Sequence, residues 1–177
     1  MSPGTFTEEA VAALRASSLA SGLTSAKVRE LAGEDDGDPR EGLVYALVAH
    51  YEDAPDEAVR DGFFVHDFKF GPDVVDALNA RVGSSPTLRT TKWSVRRTTE
   101  NGYSETVIDF SAAFPDGTEL SWVVRSLDDV VAAFNSASHK TGDPRVFVSL
   151  RTNGDFHAYL LADMKRVDAL FPFLPFE

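Results

Sequence analysis

The chain of 177 residues contains no cysteine. That excludes disulfides, thiolate-bound metals and a cysteine nucleophile, and it fits a cytoplasmic protein. No apolar run approaches the ~18 residues that mark a membrane helix. The opening MSPGTFTEEA has neither a basic nor an apolar stretch, so no secretory leader is expected. Positive charge is scarce: 17 Lys and Arg stand against 28 Asp and Glu, a net charge of −11. A chain of that sign repels phosphate backbones and anionic lipid, so neither nucleic acid nor membrane is an expected partner. Catalytic signatures are missing too. There is no G-x-S-x-G elbow, P-loop or G-x-G-x-x-G. The four histidines, His50, His66, His139 and His157, share no zinc-ligand spacing, and the acidic EDDGDPRE lacks the order of a calcium loop. No metal or cofactor is therefore expected, and the balance leans against an enzyme.

What is present suits a globular α+β protein: 43% of residues are hydrophobic, including 13 Phe. The N-terminal third reads as three helices. The first opens at Thr5 with Glu8 three residues on, and the second has Ser25 as its cap and Gly33 as its stop. In the third, Asp38 caps, Pro39 takes the first position, and Leu43, Val44, Leu47, Val48 and Tyr51 recur at helical spacing. The first two could be mistaken for a DNA-reading pair, but only Arg15, Lys27 and Arg29 are basic there.

From residue 62 the period changes to two. GFFVHDFKF places Phe64, His66, Phe68 and Phe70 on one face. A helix from Pro72 to Gly83 points Val74, Val75, Leu78 and Val82 inward. Asn101-Gly102 signals a tight hairpin that pairs Trp93 with Phe110. The next turn, FPDGT, must use three loop residues. Two would slip the register by one and turn Leu120 and Trp122 onto the face of Asp109 and Ser111. The outcome is a three-stranded meander over 88–125 with a Trp93–Phe110–Trp122 row across its buried face. Lys92, Arg96, Glu105 and Asp109 lie on the other face as cross-strand ion pairs. Ser126 caps a further helix. A hairpin over 145–162, turning at Asn153-Gly154 and pairing Leu150 with His157, is apolar on both faces and should be central or covered twice. Asp163 caps a last short helix.

The expected fold is N-terminal helices followed by a mainly antiparallel sheet (strand 63–70, meander 88–125, hairpin 145–162) with helices packed on it. Residues 1–61 form a helical segment on an α+β domain of 62–177, one globular unit overall. From residue 72 the order helix, meander, helix, hairpin, helix resembles the small acidic secretion chaperones of type III systems. In size, acidity and make-up the chain also resembles small immunity proteins of bacterial toxin systems. The chaperone resemblance implies a dimeric, non-enzymatic binder of a partner's extended segment. The strand at 63–70 and the three N-terminal helices depart from that pattern.

Two function classes follow. The leading one is a non-catalytic protein-binding module, chaperone-, immunity- or adaptor-like, with a protein partner and self-association as expectations. Its binding residues would include Phe171, Phe173, Leu174 and Phe176 of the tail FPFLPFE, a segment that could equally dock on its own domain. The alternative is a small-ligand-binding protein or small enzyme. Its pocket would lie between sheet and helices, lined by His66, His157, Tyr159 and Trp93, with a histidine as general base beside Asp155 or Tyr159.

Overall fold

A computed structural model of the chain describes residues 3–32, 37–67, 70–71, 73–82, 90–100, 102–114, 116–154 and 156–177. Their elements run α1 (Pro3–Ala16), α2 (Ser25–Ala32), α3 (Pro39–Asp53), α4 (Pro55–Asp61), β1 (Phe63–His66), α5 (Asp73–Val82), β2 (Thr90–Glu100), β3 (Tyr103–Ala113), β4 (Glu119–Val124), α6 (Leu127–Thr141), β5 (Val146–Leu150), β6 (His157–Ala162) and α7 (Met164–Leu170). The α+β class is as expected, but the strands form two three-stranded sheets, ordered β1-β6-β5 and β2-β3-β4. The chain divides into two compact units, 1–65 with 148–177, and 66–147. β6 and α7 thus belong with the N-terminal helices, and the second unit is inserted between them in the sequence.

In the first unit, caps fix the helices. The Asp38 carboxylate accepts from the Arg40 N–H at the start of α3, and Asp163 accepts from Arg166 at the start of α7. Two starts differ from the sequence reading. α1 begins at Pro3 rather than at Thr5, since proline fits a first helical turn. The cap of α2 is Thr24, whose hydroxyl accepts from the Lys27 N–H, not Ser25. The Gly33 stop lies outside the described residues. α4 is an unexpected fourth N-terminal helix, although Pro55 at its start and Gly62 at its end are signals of the same kind. Gly62 has φ +82°, and a Cβ there would sit 2.9 Å from the Leu161 Cβ, so both backbone and packing demand glycine.

The helices bury Leu14, Leu23, Leu43 and Leu47 against Phe63, Ala158 and Leu160 of the sheet. β6 is the central strand and is buried from Ala158 to Ala162, which explains a hairpin apolar on both faces. β1 stops at His66, short of the expected residue 70, and Phe68 lies outside the described residues. The link between β5 and β6 is longer than a two-residue turn. β5 ends at Leu150 and β6 begins at His157; between them the Arg151 N–H donates to the Pro175 carbonyl and the Thr152 hydroxyl to that of Phe156.

In the second unit the meander register is as expected: Trp93 faces Phe110, Phe110 faces Trp122 and Ile108 faces Val124. The three-residue loop closes with the Phe114 N–H on the Thr118 carbonyl (2.9 Å) and Gly117 at φ +84°. α6 starts in a capping arrangement. The Ser126 hydroxyl accepts from Asp129 N–H, and the Asp129 carboxylate accepts from Arg125 N–H. Phe134 of α6 then meets Phe110 of β3 at 5.0 Å and Phe147 edge-on at 6.2 Å. α5 packs beside α6 and buries Val74, Val75, Leu78 and Val82, the four residues read as inward.

Candidate interaction surface

The β2-β3-β4 sheet ends in two edge strands. Its helix-side face is buried along β3, at Ile108, Phe110 and Ala112, and at Val124 of β4, but not at Val95 or Leu120 of the edge strands. Val95 on β2 is 42% exposed and Leu120 on β4 is 37% exposed, while Trp122, stacked on Phe110 at 5.1 Å, is half-buried. Of the expected aromatic row, Phe110 is buried and Trp122 half-buried. One helix, about 10 Å across, covers about two strand spacings of ~4.8 Å. The Trp93 side chain lies outside the described residues.

The opposite face carries ion pairs, of which Arg96 with Asp109 is as expected while Glu105 takes Arg125 instead of Arg96. Arg96 Nε sits 3.1 Å from Asp109 Oδ2, and Arg125 pairs with Glu105. Val107, opposite Arg96 in the ladder, is fully buried. A groove of about 370 Å³ crosses this face, lined by Ser94, Asp109, Ser111, Glu119, Ser121 and Val123. Val123 is 54% exposed. The exposed large apolar residues of this unit, among those described, thus lie on its two edge strands, and β4 shows one on each face.

Of the residues proposed for a catalytic pocket, His66 lies on β1, His157 and Tyr159 on the neighbouring strand β6, and Trp93 on β2. His157 and Tyr159 are side by side on β6, their rings stacked at 6.5 Å, and Tyr159 is buried with its ring 6.3 Å from Phe64. His66 ends β1 and belongs to the second unit. Asp155 lies outside the described residues. Among those described, no three His, Asp or Glu side chains converge as metal ligands.

The tail residues divide by role. Leu174 is buried, Phe173 meets Phe6 at 5.8 Å, and Phe176 bridges to Leu150 beside the hydrogen bonds Arg151 N–H to Pro175 O and Glu177 N–H to Ser149 O. The tail lies along the free edge of β5 and covers it. Phe171 alone of the four stands out, 60% exposed.

The first unit holds one buried polar cluster that the sequence did not disclose. Ser18 (φ 55°) and Ala20 (φ 45°) adopt left-handed backbone between α1 and α2. The Ala20 N–H donates to Asp61 Oδ2 (2.9 Å) and to the Tyr51 hydroxyl (3.0 Å), which itself donates to Asp61 (2.9 Å). Burial beside that carboxylate drives the Tyr51 hydroxyl pKa far up, so it stays protonated as a donor. The Arg166 guanidinium binds the carbonyls of Ser17, Ser18, Asp61 and Leu161. Next to it, Glu57 accepts from the Ser21 N–H and hydroxyl and meets His50 Nε2 at 3.2 Å. Burial alone would raise the Glu57 pKa, but the Ser21 hydrogen bonds and the nearby His50 hold it below its ordinary value. The order is wrong for nucleophilic catalysis. Ser21 donates to Glu57, not to the imidazole, so His50 does not take its proton. The cluster clamps a strained loop to α3, α4 and α7.

No family model matches the chain, and no curated protein or solved structure matches it significantly. No helix of the described residues is long and apolar enough to cross a membrane.

Proposed function

We propose that the chain is a non-catalytic, cytoplasmic protein-binding module, of the chaperone, immunity or adaptor kind, that grips its partner with the edge strands of the β2-β3-β4 sheet. One observation carries the reading: Val95, Leu120 and Val123 are exposed on strands that end the sheet. A lone exposed apolar residue is ordinary. Here an added extended segment would gain ladder hydrogen bonds and apolar contact together, the two ingredients of strand addition. Phe171 and Met164, exposed one heptad apart on and just after α7, supply a second apolar contact.

The test is affinity capture with the immobilised chain, wild type against Leu120→Asp/Val123→Asp. Exposed sites tolerate substitution within about 0.5 kcal/mol, so the variant should keep its unfolding midpoint and lose the captured protein. Equal capture by both would end the proposal.

A further inference from the structure

Resting on that reading, we infer that the occupant of the β4 edge is β4 of a second copy of this chain, paired antiparallel about a two-fold axis at Trp122. The alternation of the ladder sets which backbone groups are free. Phe114 and Thr118 are a hydrogen-bonded pair, so Leu120, Trp122 and Val124 also bond inward to β3. Glu119, Ser121 and Val123 then turn their N–H and C=O groups to the open edge. Two such edges can pair only where outward residues face outward residues.

Several registers satisfy that condition, and charge selects one. With Trp122 opposite its own copy, Ser121 faces Val123 and Leu120 lies beside Val124. Glu119 then faces Arg125 twice, once at each end. Each Glu119–Arg125 pair lies on the open face, where Arg125 is half-exposed and joined to Glu105. Slipping by two residues leaves both charges unmatched. The exposed Val123 and Leu120 are covered on their respective faces, and the half-buried Trp122 meets its twin. The two α6 helices lie on one side of a continuous six-stranded sheet.

Charge also permits the approach. Residues 66–147 carry 11 acidic and 9 basic residues, so most of the net −11 lies in the other unit. The interface is isologous and closes after two copies, which disposes of an edge that would otherwise template open-ended association. Six residues per strand make a small contact, so the dimer should be concentration-dependent, with Kd on the order of micromolar.

The experiment is sedimentation equilibrium of the full chain. Wild type should move from 19.3 kDa toward twice that mass as concentration rises. Glu119→Arg places like charges together at both ends and should weaken the dimer about tenfold or more, as should Arg125→Glu. Mixing the two variants restores complementary pairs at both ends, so the equimolar mixture should dimerise about tenfold or more tightly than either variant alone. Val123→Pro removes an outward N–H without touching the β3 ladder and should split the dimer independently, with an unchanged unfolding midpoint. A wild type that stays at 19.3 kDa overturns the inference, as do Glu119→Arg dimers of full strength or a mixture that stays monomeric. A monomeric wild type that still loses a captured foreign protein on Leu120→Asp/Val123→Asp would leave the binding-surface proposal standing and remove only the second copy.

Discussion

At the scale of single residues, the sharpest demands are at Asp61 and Gly62. Asp61 answers two buried donors, Tyr51 Oη–H and Ala20 N–H, in a loop held at positive φ. Asp61→Ala leaves both without an acceptor and should cost about 3 kcal/mol in denaturant unfolding. Gly62→Ala adds left-handed strain to a 2.9 Å collision with Leu161 and should cost about 2 kcal/mol or more. Titration gives a third expectation. The Arg40 guanidinium, bonded to Asp38, lowers that carboxyl below its ordinary 3.8, and Ser21 and His50 hold Glu57 below 4.5. Groups depressed in the fold stabilise it fully above their unfolded pKa and lose that stabilisation as pH falls through the folded one. Denaturant midpoints should therefore be insensitive to these two groups above about pH 5 and fall below about pH 4. Asp38→Asn should flatten part of that fall. Capping residues such as Asp38, Ser126 and Asp163 were legible in the sequence because a cap is a contact within three residues. The Asp61 cluster was not, because it joins residues 20, 51 and 61 across three segments.

At the scale of elements, the tail and β4 are the same problem with two solutions. Each concerns an open strand edge. On β5 the chain covers its own edge, with Leu174 buried as the anchor. Leu174→Ala should cost about 2–5 kcal/mol. Deleting 171–177 should lower the melting temperature by at least several degrees, read by circular dichroism. An unchanged midpoint would mean that the tail adds nothing to the fold. The meander register was legible because one-residue slips expose every apolar side chain, so the pattern admits one solution. The bond from the Arg151 N–H to the Pro175 carbonyl was not legible, because the two residues lie over 20 positions apart in the chain.

At the scale of the whole molecule, an insertion organises the chain: residues 66–147 form one compact unit and the flanking segments the other. Separate cores allow separate melting. Calorimetry should resolve two transitions, with Leu174→Ala moving one and Phe134→Ala the other. One transition shifted equally by both would show that the units unfold together. The sequence by itself determined the α+β class, most element positions, the caps at Asp38, Ser126 and Asp163 and the pairing of β2, β3 and β4, since each follows from periodicity or from groups a few residues apart. Only the tertiary structure decided that the strands make two sheets, that β6 and α7 rejoin the N-terminal helices, and that Leu120 and Val123 stay uncovered. Those outcomes depend on which apolar faces meet at long range, and alternation along a strand states that a face is apolar without stating what, if anything, lies against it.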